Sequence, residues 1–113
     1  MRVTRLLPEL AVADLETALG WYALLLGRRA DARPMGGLAE WRYEGGDLQL
    51  FEDADRAGRG LLTVFVEDVE AELARLASLG ITPGVRGEAT SLGVEFATIT
   101  DPDGNAITLV HQP

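Results

Sequence analysis

Apolar residues along the chain keep two periods, and each period occurs twice. Over 14–26, Leu15, Ala18, Leu19, Tyr22 and Leu26 recur at helical spacing and share one face. Asp14 suits the N-cap and Gly27 the stop, so the spacing predicts a helix over 14–26. The signal returns over 68–79, where Asp68 caps a stripe of Val69, Leu73, Leu76 and Ala77. Alternating segments lie downstream of each helix. Glu40–Glu44 and Asp47–Glu52 flank Gly45-Gly46, a pair suited to a two-residue hairpin turn. That turn pairs Glu44 with Asp47 and Trp41 with Leu50. Trp41, Tyr43, Leu48 and Leu50 then face the helix, while Glu40, Arg42, Gln49 and Phe51 share the other face. The last hairpin turns on Asp101-Pro102-Asp103-Gly104-Asn105, where Pro102 presets φ, Gly104 accepts φ > 0 and Asp101 can bond its own backbone. A three-residue loop with a bulge at the glycine pairs Thr98 with Thr108 and Phe96 with Val110. These four residues face away from Ala97, Ile99, Ile107 and Leu109, which go under the second helix.

The remaining strands are weaker. Val3–Val12 reads as an opening strand that Pro8 keeps from full pairing. Residues 28–33 read as a weak strand, Leu61–Val66 as the second opening strand, and 81–92 as a loose edge strand around Pro83. Val12-Ala13-Asp14-Leu15-Glu16 is echoed by Val66-Glu67-Asp68-Val69-Glu70, which makes the chain an internal repeat. The order is βαβββ twice, in modules 1–52 and 61–113, joined by a polar, glycine-bearing linker over 53–60 within a single domain of 1–113.

The closing hairpin and the repeat resemble the vicinal oxygen chelate superfamily, which includes glyoxalases, bleomycin-resistance proteins and extradiol dioxygenases. In that family Asp-Pro-Asp-Gly-Asn precedes a spacer, an aliphatic residue, a metal-binding Glu and Leu; this chain has Thr108 at the Glu position. The resemblance implies an α+β fold in which two βαβββ modules form a curved eight-stranded sheet with the helices on its convex side. It also implies a ligand cup on the concave face. By strand parity the first module would contribute Leu7, Glu9, Glu40, Arg42, Gln49 and Phe51 to it. The second would contribute Leu61, Thr63, Phe65, Phe96, Thr98, Thr108 and Val110. The family's four metal-ligand positions fall on Leu7, Gln49, Leu61 and Thr108. Two are aliphatic, and a divalent cation needs several N or O donors with offsetting charge. No metal and no cofactor is expected.

Composition narrows the function further. A 113-residue chain with 47% hydrophobic residues supports one ordinary core. It has no cysteine and one histidine, which excludes disulfides, thiolate metal sites and any site needing two imidazoles from one chain. His111 falls on the helix side by parity, near the chain end. A net charge of −8 disfavours nucleic acid and mildly favours cationic small molecules. No apolar run approaches the roughly 18 residues of a membrane span, and the N-terminus lacks a signal-peptide core, so a cytoplasmic protein is expected.

The reading is metal-independent binding of a small, aromatic and partly cationic molecule, with no catalytic residue. This is similar to the bleomycin-resistance branch, which sequesters a drug and so confers antibiotic resistance. Glu9, Glu40, Arg42, Gln49, Phe51, Thr63, Phe65, Phe96, Thr98 and Thr108 are the candidate ligand-binding residues. Trp21 and Trp41 fall on helix or helix-facing positions, unlike the cup tryptophans of bleomycin binders. The alternatives are a lyase or isomerase using Glu9 or Glu40 as acid or base, a metal enzyme with a different ligand set, and an interaction module. Exposed sheet edges point to a homodimer.

Overall fold

The computed structural model describes residues 1–89 and 94–111. These contain two helices and seven strands: β1 (Glu9–Val12), α1 (Leu15–Leu26), β2 (Leu38–Tyr43), β3 (Gly46–Glu52), β4 (Leu61–Phe65), α2 (Val69–Ala77), β5 (Val85–Ala89), β6 (Val94–Thr100) and β7 (Ala106–His111). The chain divides into two compact units, 1–57 and 58–113.

In the first unit three strands form a sheet in the order β1-β3-β2, with β1 parallel and β2 antiparallel to β3. Asp14 caps α1 as its side chain accepts from Thr17 N at 3.1 Å, and Glu52 adds a bond from Leu15 N at 3.0 Å. Gly27 ends the helix at φ 76°, where a Cβ would be strained. The helix buries Leu15, Ala18, Tyr22 and Leu25, so Leu25 rather than Leu26 completes the inward stripe. Trp41 and Tyr22 lie at the centre, both fully buried and 6.3 Å apart between ring centroids, while Trp41 Nε1 donates to Arg28 O at 3.0 Å. Both aromatics serve the core.

The second unit repeats the plan with four strands in the order β4-β7-β6-β5. Asp68 caps α2 by accepting from Ala71 N at 3.0 Å, and Val69, Leu73 and Leu76 are buried. Ala97, Ile99, Ile107 and Leu109 supply the sheet's buried side. The closing hairpin holds the expected register, Thr98 opposite Thr108 and Phe96 opposite Val110. Its turn is held by side chains. Asp101 Oδ1 accepts from the backbone N–H of Asp103, Gly104 and Asn105 at 2.8–2.9 Å, and Asp101 Oδ2 accepts from Asn105 Nδ2 at 2.8 Å. Asn105 Oδ1 accepts from Gly60 N at 2.7 Å, which ties the turn to the approach to β4. The Asp-Pro-Asp-Gly-Asn motif is therefore a structural staple.

Gly58 sits against the same turn at φ +90°, and a Cβ there would lie 2.2 Å from the Asp103 carbonyl oxygen. Gly58→Ala should therefore destabilise the protein by about 2 kcal/mol or more, combining a forced positive φ with a backbone clash. A thermal melt showing no loss would mean that the linker shifts freely off the turn.

Several expectations need correction. Seven strands in two sheets, neither of them closed, replace the eight-stranded arrangement. The missing strand is that over 28–33, which forms only an isolated bridge, Ala32 to Glu40. Its sequence has no β-branched residue, Pro34 follows it, and Asp31 is used as a backbone cap, accepting from Arg42 N at 2.6 Å. The first strand begins at Glu9, not Val3, because Pro8 has no N–H to donate and keeps only its carbonyl in play, accepting from Gln49 N at 2.9 Å.

The first hairpin closes around Glu44-Gly45, with Tyr43 opposite Gly46 and Trp41 opposite Leu48. Gly46 takes φ +150°, a conformation that only glycine adopts cheaply, and so becomes a strand residue. Each β2 residue thus meets a partner two places earlier than expected, an even slip that leaves every side chain on its expected face. Tyr43 keeps the face of Trp41 but is left half-exposed instead of buried, and the Arg28 guanidinium lies 4.2 Å above its ring centroid. Partial burial raises the Tyr43 phenol above its ordinary value, and Arg28 works in the opposite direction. The edge strand expected over 81–92 runs beyond the described residues and comprises Val85–Ala89 within them.

Candidate functional site

Each sheet has one face against its helix and one free of it, and the candidate residues fall on the helix-free faces. In the first unit the register aligns Glu9, Gln49 and Glu40 in one row across β1, β3 and β2. Gln49 and Glu40 are buried, Glu9 and Arg42 are exposed, and Phe51 is half-buried one pleat from Gln49. Arg42 lies opposite Asp47.

The Glu40 carboxylate is already engaged. Arg5 Nη2 donates to Glu40 Oε1 at 2.8 Å, and Arg5 Nε donates to Asp47 Oδ2 at 2.6 Å. The Arg42 guanidinium is farther from Glu40 Oε1, at 3.7 Å. Hydrogen bonds to Glu40 and then Asp47 hold Arg5 still higher than its ordinary value, so this cation does not titrate in the physiological range. Arg5 and Asp47 are the site residues missing from the candidate set, although Arg5 shares the parity of Leu7 and Glu9, and Asp47 that of Gln49 and Phe51. Arg5 lies before β1, in the part of the expected opening strand that does not pair, and chain position alone does not set it apart from Arg28, Arg29 or Arg33. The one available signal was physical: a glutamate on a buried pleat needs a cation nearby. Glu9 forms no ion pair among the described residues.

In the second unit Thr63, Thr108 and Thr98 form a row across β4, β7 and β6, and the Thr98 and Thr108 hydroxyls share a hydrogen bond of 2.9 Å. The next row runs from Phe65 through Val110 and Phe96 to Gly87. A Cβ on Gly87 would lie 2.9 Å from the Phe96 ring, so this glycine lets the ring lie across β5. Phe65 is 66% exposed and Leu61 84% exposed, while Thr98, Thr108 and Phe96 are half-buried. The face offers aromatic surface beside hydroxyls, a combination that can stack a ring and hydrogen-bond its substituents. His111 lies on the opposite pleat, with Nδ1 3.3 Å from Val66 O.

The donor chemistry does not suit the family's metal. Leu7 precedes β1, Leu61 is an exposed aliphatic, Thr108 is bonded to Thr98, and Gln49 is a neutral amide in the row described above. Among the described residues no group of three or more His, Cys, Asp or Glu side chains is placed to hold an ion. No described helix is long and apolar enough to cross a membrane.

Comparison with known proteins agrees with the fold. The model of a glyoxalase-like domain family matches residues 9–110. Among solved structures, a glyoxalase/bleomycin resistance protein from Catenulispora acidiphila is 33% identical with a TM-score of 0.87, over 96% of this chain and 98% of that one. Two more distant structures share the fold. A lactoylglutathione lyase from Agrobacterium tumefaciens is 21% identical with a TM-score of 0.79, over 98% of this chain and 95% of the other. The bleomycin resistance determinant encoded on transposon Tn5 is 18% identical with a TM-score of 0.79, over 97% and 98%. No curated protein matches the chain. With its repeated helix-and-sheet units, its stapled Asp-Pro-Asp-Gly-Asn turn and a family match over residues 9–110, this chain belongs to the glyoxalase/bleomycin resistance superfamily.

Proposed function

We propose that the protein binds a small, flat, partly cationic aromatic molecule without a metal ion, as drug-sequestering members of the superfamily do. One observation carries this reading. Two of the family's metal-ligand positions, Gln49 and Thr108, sit at the centres of the two helix-free rows, and both are neutral hydrogen-bonding groups. Such rows suit recognition of an organic molecule better than retention of an ion. In this reading each helix-free face offers a ligand-binding surface, and the protein works as a homodimer. Phe51, Phe65 and Phe96 bury ring surface, each stacked pair adding about 0.5–1.5 kcal/mol beyond area burial. The threonine row and Gln49 bond polar substituents. Glu9, free of any described ion pair, meets the positive charge.

The test is calorimetry with a panel of aromatic cations and their neutral analogues of the same shape, against wild type, Phe65→Ala and Glu9→Gln. Phe65→Ala should weaken both ligand classes. Glu9→Gln should weaken the cations alone, and added salt should weaken them too by screening. Binding that neither substitution alters would place the site elsewhere.

A further inference from the structure

We infer that Arg5 is a built-in occupant of a second cation position on the first sheet, formed by Glu40 and Asp47 in addition to Glu9, and that the segment before β1 is a strap a cationic ligand must displace to reach it. This rests on the cation-binding reading above and adds regulation to it. Glu40 and Asp47 are diagonal neighbours on one face of the β2–β3 hairpin, with side chains only 6% and 13% exposed. Two carboxylates so placed require a cation, because a buried anion without one loses its hydration and gains nothing in return. Arg5 supplies it with the two prongs of its guanidinium, Nη2 to Glu40 and Nε to Asp47. Arg42 is a poor substitute, at 3.7 Å from Glu40 and with a side chain 53% exposed.

The backbone that carries Arg5 is suited to leave. Residues 1–8 have no regular secondary structure, and Met1, Val3 and Leu6 are exposed. Pro8 lacks an N–H and ties the segment to the sheet only through its carbonyl, which accepts from Gln49 N at 2.9 Å. Releasing the segment therefore breaks the Arg5 pairs without opening a core. An amidinium or guanidinium group on a ligand presents the same planar fork and can take the same two carboxylates. The strap exchanges for a ligand of matching charge and geometry, and a neutral molecule, which cannot replace the Arg5 cation on two carboxylates, gains nothing from its release.

The experiment titrates benzamidine, a flat aromatic amidinium, and neutral benzamide against wild type, Arg5→Gln and Asp47→Asn. In parallel, the Arg5 Nε–H resonance of wild type is followed by ¹⁵N NMR. Arg5→Gln should bind benzamidine about fivefold or more tightly than wild type, since the competent fraction no longer shares the site with Arg5. Benzamide affinity should be the same in both. Benzamidine at saturation should remove the protected Arg5 Nε–H signal of wild type. Asp47→Asn, which loosens the strap and keeps Glu40, should weaken that signal before any ligand is added. It also serves if Arg5→Gln folds poorly. Equal benzamidine affinity in wild type and Arg5→Gln, no benzamidine binding to Arg5→Gln, or a bound wild type that keeps its Arg5 signal would each overturn the strap. Failure of the wider binding reading is seen separately, in the Phe65→Ala and Glu9→Gln titrations.

Discussion

Asp101→Ala is expected to cost about 3–4 kcal/mol of stability, with the closing hairpin as the part that fails. Asp101 is only 4% exposed and Asn105 is fully buried. The Asp101 carboxylate holds three consecutive backbone N–H groups and the Asn105 amide. The four bonds do not count equally. Asp103 and Gly104 lie at the turn surface, where water can replace the lost acceptor. The Asn105 N–H and its Nδ2 are buried, and each unsatisfied buried donor costs about 1–3 kcal/mol. Truncation also frees Asn105 from its geometry, which loosens its bond to Gly60 N. Asn105→Ala should cost less, since Asp101 keeps its backbone bonds, and the double substitution should be less than additive because the two side chains share one network. Both tryptophans lie in the first unit, so urea unfolding is best followed by far-ultraviolet circular dichroism. A loss below about 0.5 kcal/mol, the size of an ordinary surface change, would show that Pro102 and Gly104 hold the turn unaided.

Trp41→Ala should destabilise the first unit by about 3–5 kcal/mol, the range for deleting a large aromatic from a packed core. Trp41 is fully buried, packs against Tyr22 and is the largest of the fully buried side chains. Its removal also takes the indole donor from the Arg28 carbonyl. Trp41→Phe separates the two contributions: it keeps most of the ring volume, loses the Nε1 bond, and should cost markedly less than the alanine change. Thermal melts of the two variants are the measurement. Equal losses would assign the effect to the hydrogen bond instead of the cavity.

The local architecture was written in the sequence wherever a short-range rule governs it. Asp14 and Asp68 cap their helices as their chemistry requires, and Asp101 closes its turn through bonds to residues two to four places on. Period-two alternation put Glu40, Gln49, Thr98 and Thr108 on the helix-free faces. It did so even though the first hairpin's register slipped, because a slip of two residues conserves the face. Tertiary structure decided what no periodicity encodes. Burial of Leu25 in place of Leu26 was decided by how the helix packs, since both leucines satisfy the helical stripe within one residue. Residues 28–33 failed as a strand because Asp31 and Arg28 serve the Arg42 backbone with their side chains, an interaction across a loop. The partner of Glu40 came from the part of the expected opening strand that forms no strand, 35 residues earlier in the chain. The sequence could require a cation at Glu40, because burial of an unpaired carboxylate is costly; only the folded chain could choose Arg5, because that choice depends on where an irregular segment happens to lie.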